Sequence, residues 1–302
     1  MSFNIVLNSS NVSNNNTNTQ LTYNFIQGGI QIPPGSEICV SQIVLPYAFF
    51  NISQYYNNLS FSYYFPYGNS EKLYTVVFQP GFYSVSGIQN YLELYMISQN
   101  QYFINTTTNK NLFFISIVQN QVYYANELVL SPIPTSLSDC NSLYPQSLGS
   151  WSEPEPNGFN YNDSVDYGYP NTSYTPQIVI LNSNNFGKVI GFIPGTYPLT
   201  QQTTLQNILS NQTPNATPVN SLIITCSLIN SPTLPSNIVD SFPITDTSFG
   251  SNIVYSPYFD RYVECVPGHY KSISFQILDQ NFNTIYSLDP NLLITILIRL
   301  KK

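Results

Sequence analysis

In the stretch KSISFQILD, residues 271–279, apolar Ile273, Phe275 and Ile277 alternate with Ser272, Ser274 and Gln276. A period of two places the two sets on opposite faces of a pleated strand. Comparable runs fill most of the chain, at 3–7, 21–26, 37–47, 59–65, 73–78, 112–118 and 121–124, and again at 177–181, 221–229, 252–255, 262–266, 272–278 and 292–300. Polar turn formers separate them, and many short strands at such spacing predict a β-sandwich or barrel, the jelly roll being the common double-sheet form. After 272–278, the segment DQNFN predicts a turn that returns the chain through TIYSLD as a hairpin partner. In the last run, Leu292, Ile294, Ile296, Ile298 and Leu300 alternate with Leu293, Thr295, Leu297 and Arg299. Both sets are mainly apolar, which predicts an interior strand covered on both faces.

One segment has a different period. In VVFQPGFYSVSGIQNYLELYM, residues 76–96, Ile88, Tyr91, Leu92, Tyr95 and Met96 recur at helical spacing. Ser84 and Ser86 are candidate N-caps, and Ser86 with Gln89 has capping-box spacing. Leu94 and Ile97 lie off the stripe, so the helix is expected to be covered on more than one side, across a sheet end or at a subunit contact. A second, short helix is expected near 205–209. Residues 131–176 are dense in Pro, Gly, Asn and Ser and lack periodicity, which marks a functional or projecting insertion. The expected organisation is therefore a discontinuous sandwich domain, 1–130 with 177–302, carrying an outward-facing insertion at 131–176.

The surface such a chain can present is restricted by its composition. Hydrophobic residues are 42% and aromatics 15%, but charged residues only 8%, against about 25% in ordinary soluble domains. Asn, Ser, Thr, Gln and Tyr must supply the exterior. Tyr is favoured at interfaces while Lys, Glu and Asp are depleted there, so the composition predicts a subunit largely covered by neighbours. With a net charge of −7 and basic residues clustered only at Arg299, Lys301 and Lys302, specific nucleic-acid binding is not expected. No apolar run approaches the length of a membrane span. The opening MSFNIVLNSS has no basic region ahead of its short apolar run, so no secretory leader is expected. Cys39, Cys140, Cys226 and Cys265 are dispersed, form no zinc pattern and read as buried free thiols of a reducing compartment.

Catalytic chemistry finds few carriers. His269 is the only histidine and stands in a turn-like VPGHYK with no acidic neighbour in sequence. Glu153 and Glu155 share a Pro-flanked loop, where paired carboxylates lack the shielding acid–base work needs. Asp163 and Asp166 lack calcium-loop spacing. No catalytic residue, metal site or cofactor is expected, and the chain is not expected to be an enzyme. Trp151, with Tyr144, Tyr161, Tyr167, Tyr169 and Tyr174 around it, is the one cluster suited to recognition. Aromatics among Asn and Asp stack on sugars or anchor protein contacts. The plainer alternative is an aromatic cluster that holds the segment together. Trp151, Tyr161, Tyr167 and Tyr169 are the candidate recognition residues.

The order ICVSQIVLPYAFFNISQYYNN, FQPGFYSVSGIQNYL, NFGKVIGF, SLIITCSLIN, ISFQILDQNFNTIYSLDPNLLITILIRL resembles the penton, or vertex, minor capsid proteins of virophages and polinton-like viruses, the mavirus type in particular. The resemblance covers most of the chain outside 131–176. It implies a single jelly roll, a homopentamer closing each fivefold vertex of an icosahedral capsid, and a double-jelly-roll major capsid protein as neighbour. It further implies a virion protein assembled in the host cytoplasm, with an insertion able to meet a host-surface receptor and no catalytic residues to carry over. The competing reading from the residues is a carbohydrate-binding β-sandwich, a lectin-like or receptor-binding module.

Overall fold

The computed structural model describes residues 2–13, 17–26, 28–161, 168–231, 236–287 and 289–301. The chain forms two compact units, Met1–Phe50 with Thr217–Lys302, and Asn51–Ala216. Nearly all regular structure is antiparallel β, as the alternation predicts.

The principal strands of the first unit, labelled in chain order, are β1 (Ser2–Asn8), β2 (Gln20–Asn24), β3 (Ser36–Pro46), β4 (Ser221–Cys226), β5 (Ile238–Pro243), β6 (Asn252–Tyr255), β7 (Ser272–Asp279) and β8 (Leu293–Leu300). β1 pairs with β8, β2 with β7, β3 with β6 and β4 with β5. The chain is thus one long hairpin, β1–β4 along one arm and β5–β8 back along the other. Rolling it up adds the pairs β8–β3 and β7–β4. Two sheets result, ordered β1-β8-β3-β6 and β5-β4-β7-β2, with the short Val263–Glu264 also on β3. This is the jelly-roll arrangement.

Its core is built from the inward set of each alternation. Ile273, Phe275 and Ile277 of β7 are buried against Ile5, Leu7 and Ile296 in one apolar cluster. On β3 the buried residues Ile38, Val40, Ile43 and Leu45 break strict alternation once. There, Thr295 opposes Gln42 and Ile296 opposes Val40, so Ser41 is the extra residue of a bulge. β8 is an interior strand between β1 and β3, as expected. Its coverage differs from expectation: Ile294, Ile296 and Ile298 are buried, but Leu293 is 38% exposed and Thr295 and Leu297 are only half-buried. One face packs on the second sheet and the other lies open. The turn after β7 forms as predicted, Asp279 Oδ1 accepting from the backbone N–H of Asn281 and Asn283. The returning segment makes only isolated bridges, Leu278 to Thr284 and Ser287 to Phe49, because β2 already occupies one edge of β7 and β4 the other.

The second unit has its own core, dominated by aromatic rings. A four-stranded sheet runs in the order Gly195–Tyr197, Gln177–Ile180, Ser60–Tyr67, Ser70–Val77. One three-stranded sheet runs Gln206–Leu209, Ala125–Leu130, Ile115–Asn120, and another Trp151–Ser152, Phe103–Asn105, Lys110–Leu112. The predicted helix is α1, Val85–Ser98. Ser84 is its N-cap, its side chain accepting from Gly87 N–H. Gln89 does not close a capping box; its amide donates to Glu93 and its Oε1 accepts from Ile117 N–H, tying the helix to a strand. Ile88, Leu92 and Met96 are buried, whereas Leu94 is 65% exposed, so the helix is covered along one stripe rather than on two sides.

Three local expectations change. Residues 121–124 are the turn of the hairpin between Ile115–Asn120 and Ala125–Leu130, not a strand. Residues 206–209 are a strand, not a helix, because they add to the edge of Ala125–Leu130. The unit boundaries fall at 50/51 and 216/217, not at 130/131 and 176/177. The segment 131–176 belongs to the second unit because its sparse apolar residues, Ile133, Cys140 and Phe159, are buried in that unit's core. Asn160 adds a polar staple: its Oδ1 accepts from Gln101 Nε2 at 3.1 Å and from Tyr74 Oη at 3.2 Å, and Gln101 accepts from Tyr63 Oη at 2.5 Å. Burial pushes the Tyr63 hydroxyl well above its ordinary range, so it remains a donor.

Candidate interaction surface

Strand register places four rows of side chains on the open face of the β1-β8-β3-β6 sheet. Asn8, Leu293, Val44 and Val254 form one row, followed by Val6, Thr295 and Gln42, then Asn4, Leu297 and Cys39, then Ser2, Arg299 and Glu37, with Cys39 and Glu37 buried, so that the face is covered over that end of β3. Cross-strand neighbours on one face lie about 4.5–5.5 Å apart, so these rows are contiguous. Val6 is 48% exposed and Val254 65%. The face is therefore an apolar strip edged by neutral amides, and its charge is gathered at one end.

At that end the groups neutralise each other. Arg299 Nε donates to Glu37 Oε2 at 3.2 Å, its Nη2 lies 3.2 Å from the same oxygen, and Lys301 Nζ lies 3.6 Å from Glu37 Oε1. The Arg299 guanidinium lies over the Tyr262 ring, 3.3 Å from its centroid. Tyr262 donates to Asp260, and burial together with the Cys39 thiol and Asp260 pushes its hydroxyl up to about 12. A cavity of about 880 Å³ opens beside these groups. The ion pairs are partly exposed and supply orientation more than stability.

The recognition residues predicted from sequence all belong to the second unit, apart from Tyr167, which lies outside the described residues. Trp151 pairs with Asn105 in a short strand, and its indole Nε1 donates to Asn141 Oδ1 at 2.9 Å. Tyr169 stacks on Phe103, and its hydroxyl donates to Glu153 Oε1 at 2.6 Å. Burial and the Glu153 carboxylate raise its pKa. The Tyr161 carbonyl accepts from Asn100 Nδ2 at 3.0 Å. Trp151 and Tyr169 thus share one neighbourhood at the rim of the aromatic core, with their polar atoms engaged internally.

The remaining chemical candidates are scattered. His269 is exposed on a short strand paired with Ile30–Ile32. Glu153 also accepts from Phe159 N–H, which gives it a structural role. All four cysteines are free and buried, and burial raises the Cys140 thiol to about 11 and the Cys226 and Cys265 thiols to about 12. Such thiols are poor nucleophiles at neutral pH. Among the described residues no group of three or more His, Cys, Asp or Glu could hold a metal ion. None of the helices among them is long and apolar enough to cross a membrane. Sequence reasoning did not identify the open sheet face, because Leu293 and Leu297 look the same in sequence whether they are covered or not.

No protein-family model matches the chain, and no curated protein does. Among solved structures, the chain is similar to a crystal structure of the mavirus penton protein, with 9% identity and a TM-score of 0.43 over 99% of this chain and 98% of that one. It is also similar to a chain in the cryo-EM structure of the Sputnik virophage, with 11% identity and a TM-score of 0.39 over 100% and 98% of the two chains.

Proposed function

We propose that this chain is a structural virion protein, the penton that closes the fivefold vertices of an icosahedral capsid as a homopentamer, next to a double-jelly-roll major capsid protein. The observation that carries the reading is a jelly roll with one open, apolar sheet face on a chain only 8% charged. Such a face is costly to leave in water and suits a contact between subunits. The order of the five sequence motifs supports the same assignment. Head-to-tail contacts between identical subunits close into rings when the rotation fits the symmetry. Residues 131–176, with the candidate recognition residues Trp151, Tyr161, Tyr167 and Tyr169, are read as the outward-facing part, where a host surface is met. Catalysis has no part in this role.

Native mass spectrometry of the purified chain over a range of concentrations, with electron microscopy of the oligomer, tests the assignment. Rings of five are expected, accompanied by monomer when dilute. A stable trimer would replace the penton assignment with that of a shell-face subunit. A strict monomer at every concentration, with no incorporation into particles, would leave the carbohydrate-binding reading in its place.

A further inference from the structure

The second unit contains a groove of about 590 Å³ of mixed polar and apolar lining, walled by the Pro66–Glu71 turn, by residues around Pro170–Tyr174 and by Leu199–Gln201. That volume lies within the range of small-ligand sites, roughly 300–1,000 Å³. The walls are fixed by backbone bonds. Gly68, at φ +48°, donates to the Tyr169 carbonyl at 2.9 Å and accepts from Asn171 N–H at 2.7 Å. Asn171 Nδ2 also donates to Asn69 Oδ1 at 2.8 Å. On the opposite side Gln201 Nε2 donates to Glu71 Oε2 at 2.8 Å, joining two walls. The groove is preorganised and needs little ordering to receive a ligand.

Two of its side chains are left with unused capacity. Gln177 is 6% exposed, and its amide nitrogen donates to the Pro198 carbonyl, while its Oε1 has no hydrogen-bond partner among the described residues. Tyr174 is held at its backbone by Thr172 and Ile133, but its ring stacks on no other aromatic and its hydroxyl has no partner among the described residues. Trp151 and Tyr169, its companions in sequence, are engaged internally; Tyr174 is not.

We infer that this groove binds a short, neutral oligosaccharide. The lining offers hydroxyls, amides and the Glu71 carboxylate, which match a polyol's many donors and acceptors. Among the described residues that line it there is no Lys, Arg or His, so none of them would compensate a phosphate, a sulfate or a sialic-acid carboxylate. Tyr174 with Pro66, Pro170 and Leu199 supplies apolar ground for the C–H face of a sugar ring, and the lining residue Gln177 an amide oxygen free to accept. The inference concerns the second unit alone and holds whatever the oligomeric state of the chain.

The test uses the full-length purified chain on an array of neutral oligosaccharides (cello-, manno-, laminari- and N-acetylglucosamine oligomers), their sialylated and sulfated counterparts, and a set of unrelated peptides. Calorimetry with the strongest neutral binder then compares variants. Tyr174→Ala should weaken binding about tenfold and Tyr174→Phe only two- to threefold, roughly one neutral hydrogen bond. Leu199→Ala, at a residue 84% exposed and therefore harmless to folding, should weaken it several-fold. Absence of neutral binding, preference for acidic glycans or for peptides, or unchanged affinity in both Tyr174→Ala and Leu199→Ala would overturn the inference.

Discussion

The two faces of β8 should respond very differently to truncation. Ile296 is fully buried, opposed by Ile5 on β1 and Val40 on β3, whereas its neighbour Leu297 is half-buried on the open face. Ile296→Ala removes apolar area that is out of water and leaves a cavity between the sheets, for a loss of about 2–5 kcal/mol. Ile296→Val should lose about 1 kcal/mol. Ile296→Asp loses about 2–3 kcal/mol of side-chain burial and several more for an unpaired carboxylate. That total approaches the whole stability of an ordinary domain, about 5–15 kcal/mol, so little folded sandwich should remain. Leu297→Ala and Leu297→Asp should each cost no more than about 1 kcal/mol in the isolated chain, because water reaches that face. Urea titrations followed by far-UV circular dichroism give the comparison, and native mass spectrometry of the Leu297 variants completes it. In the proposed pentamer, Leu297→Asp prevents ring formation while leaving the monomer folded. Equal losses for Ile296→Ala and Leu297→Ala would refute one-sided burial, and with it the assignment of an open sheet face.

Three further outcomes follow from particular groups. Asn160→Ala leaves the buried Gln101 Nε2 without its acceptor and removes one acceptor of Tyr74 Oη, and should destabilise the second unit by about 1–3 kcal/mol; Trp151, the only tryptophan, reports it by fluorescence, and an unshifted transition sinks the network. The Cys226 and Cys265 thiols, raised from 9.0 to about 12, bind protons in the folded sandwich that the unfolded chain has lost above about pH 9. Their contribution is therefore complete below pH 9 and falls as pH rises through the folded values, by about 2–3 kcal/mol at pH 10; a melting temperature constant from pH 8 to 10 contradicts this. Replacing 131–176 by a Gly-Ser linker should destroy the second unit, since it removes Ile133, Cys140, Phe159 and Asn160, whereas replacing the whole of Asn51–Ala216 should leave a folded sandwich, each checked by soluble yield and circular dichroism.

The fold was legible where local pattern and tertiary demand coincide. Clean alternation marked β7, two alternating sets that are both mainly apolar marked β8, and a serine cap with a 3.6-residue stripe marked α1. It was illegible where pairing partners decide. Gln206–Leu209 became a strand because an edge was available, and Val122-Tyr123-Tyr124 became a turn despite strand-forming residues because the flanking segments pair with each other. Residues 131–176 concealed their place because a few buried side chains and Asn160, rather than any periodicity, tie them to a core. Of the candidate recognition residues, sequence could not distinguish rings engaged in internal packing, as at Tyr169, from one that is not, as at Tyr174.

Asn51 and Ala216 are the first and last residues of the second unit, and the Asn51 side chain donates to the Ala216 carbonyl at 2.7 Å. A folded second unit therefore closes what would otherwise be a very long excursion between β3 and β4, relieving roughly 4 kcal/mol of loop entropy. On the ribosome this sets an order of events. The contiguous unit can complete itself first, while β1 must wait for β8, emerging roughly 15–60 s later at 5–20 residues per second. Throughout that interval the apolar edge of β1 is unpaired and exposed to other nascent chains. The asparagine- and serine-rich stretch that follows it, NSSNVSNNNTNTQ, is suited to keeping that waiting strand in solution until its partner is made.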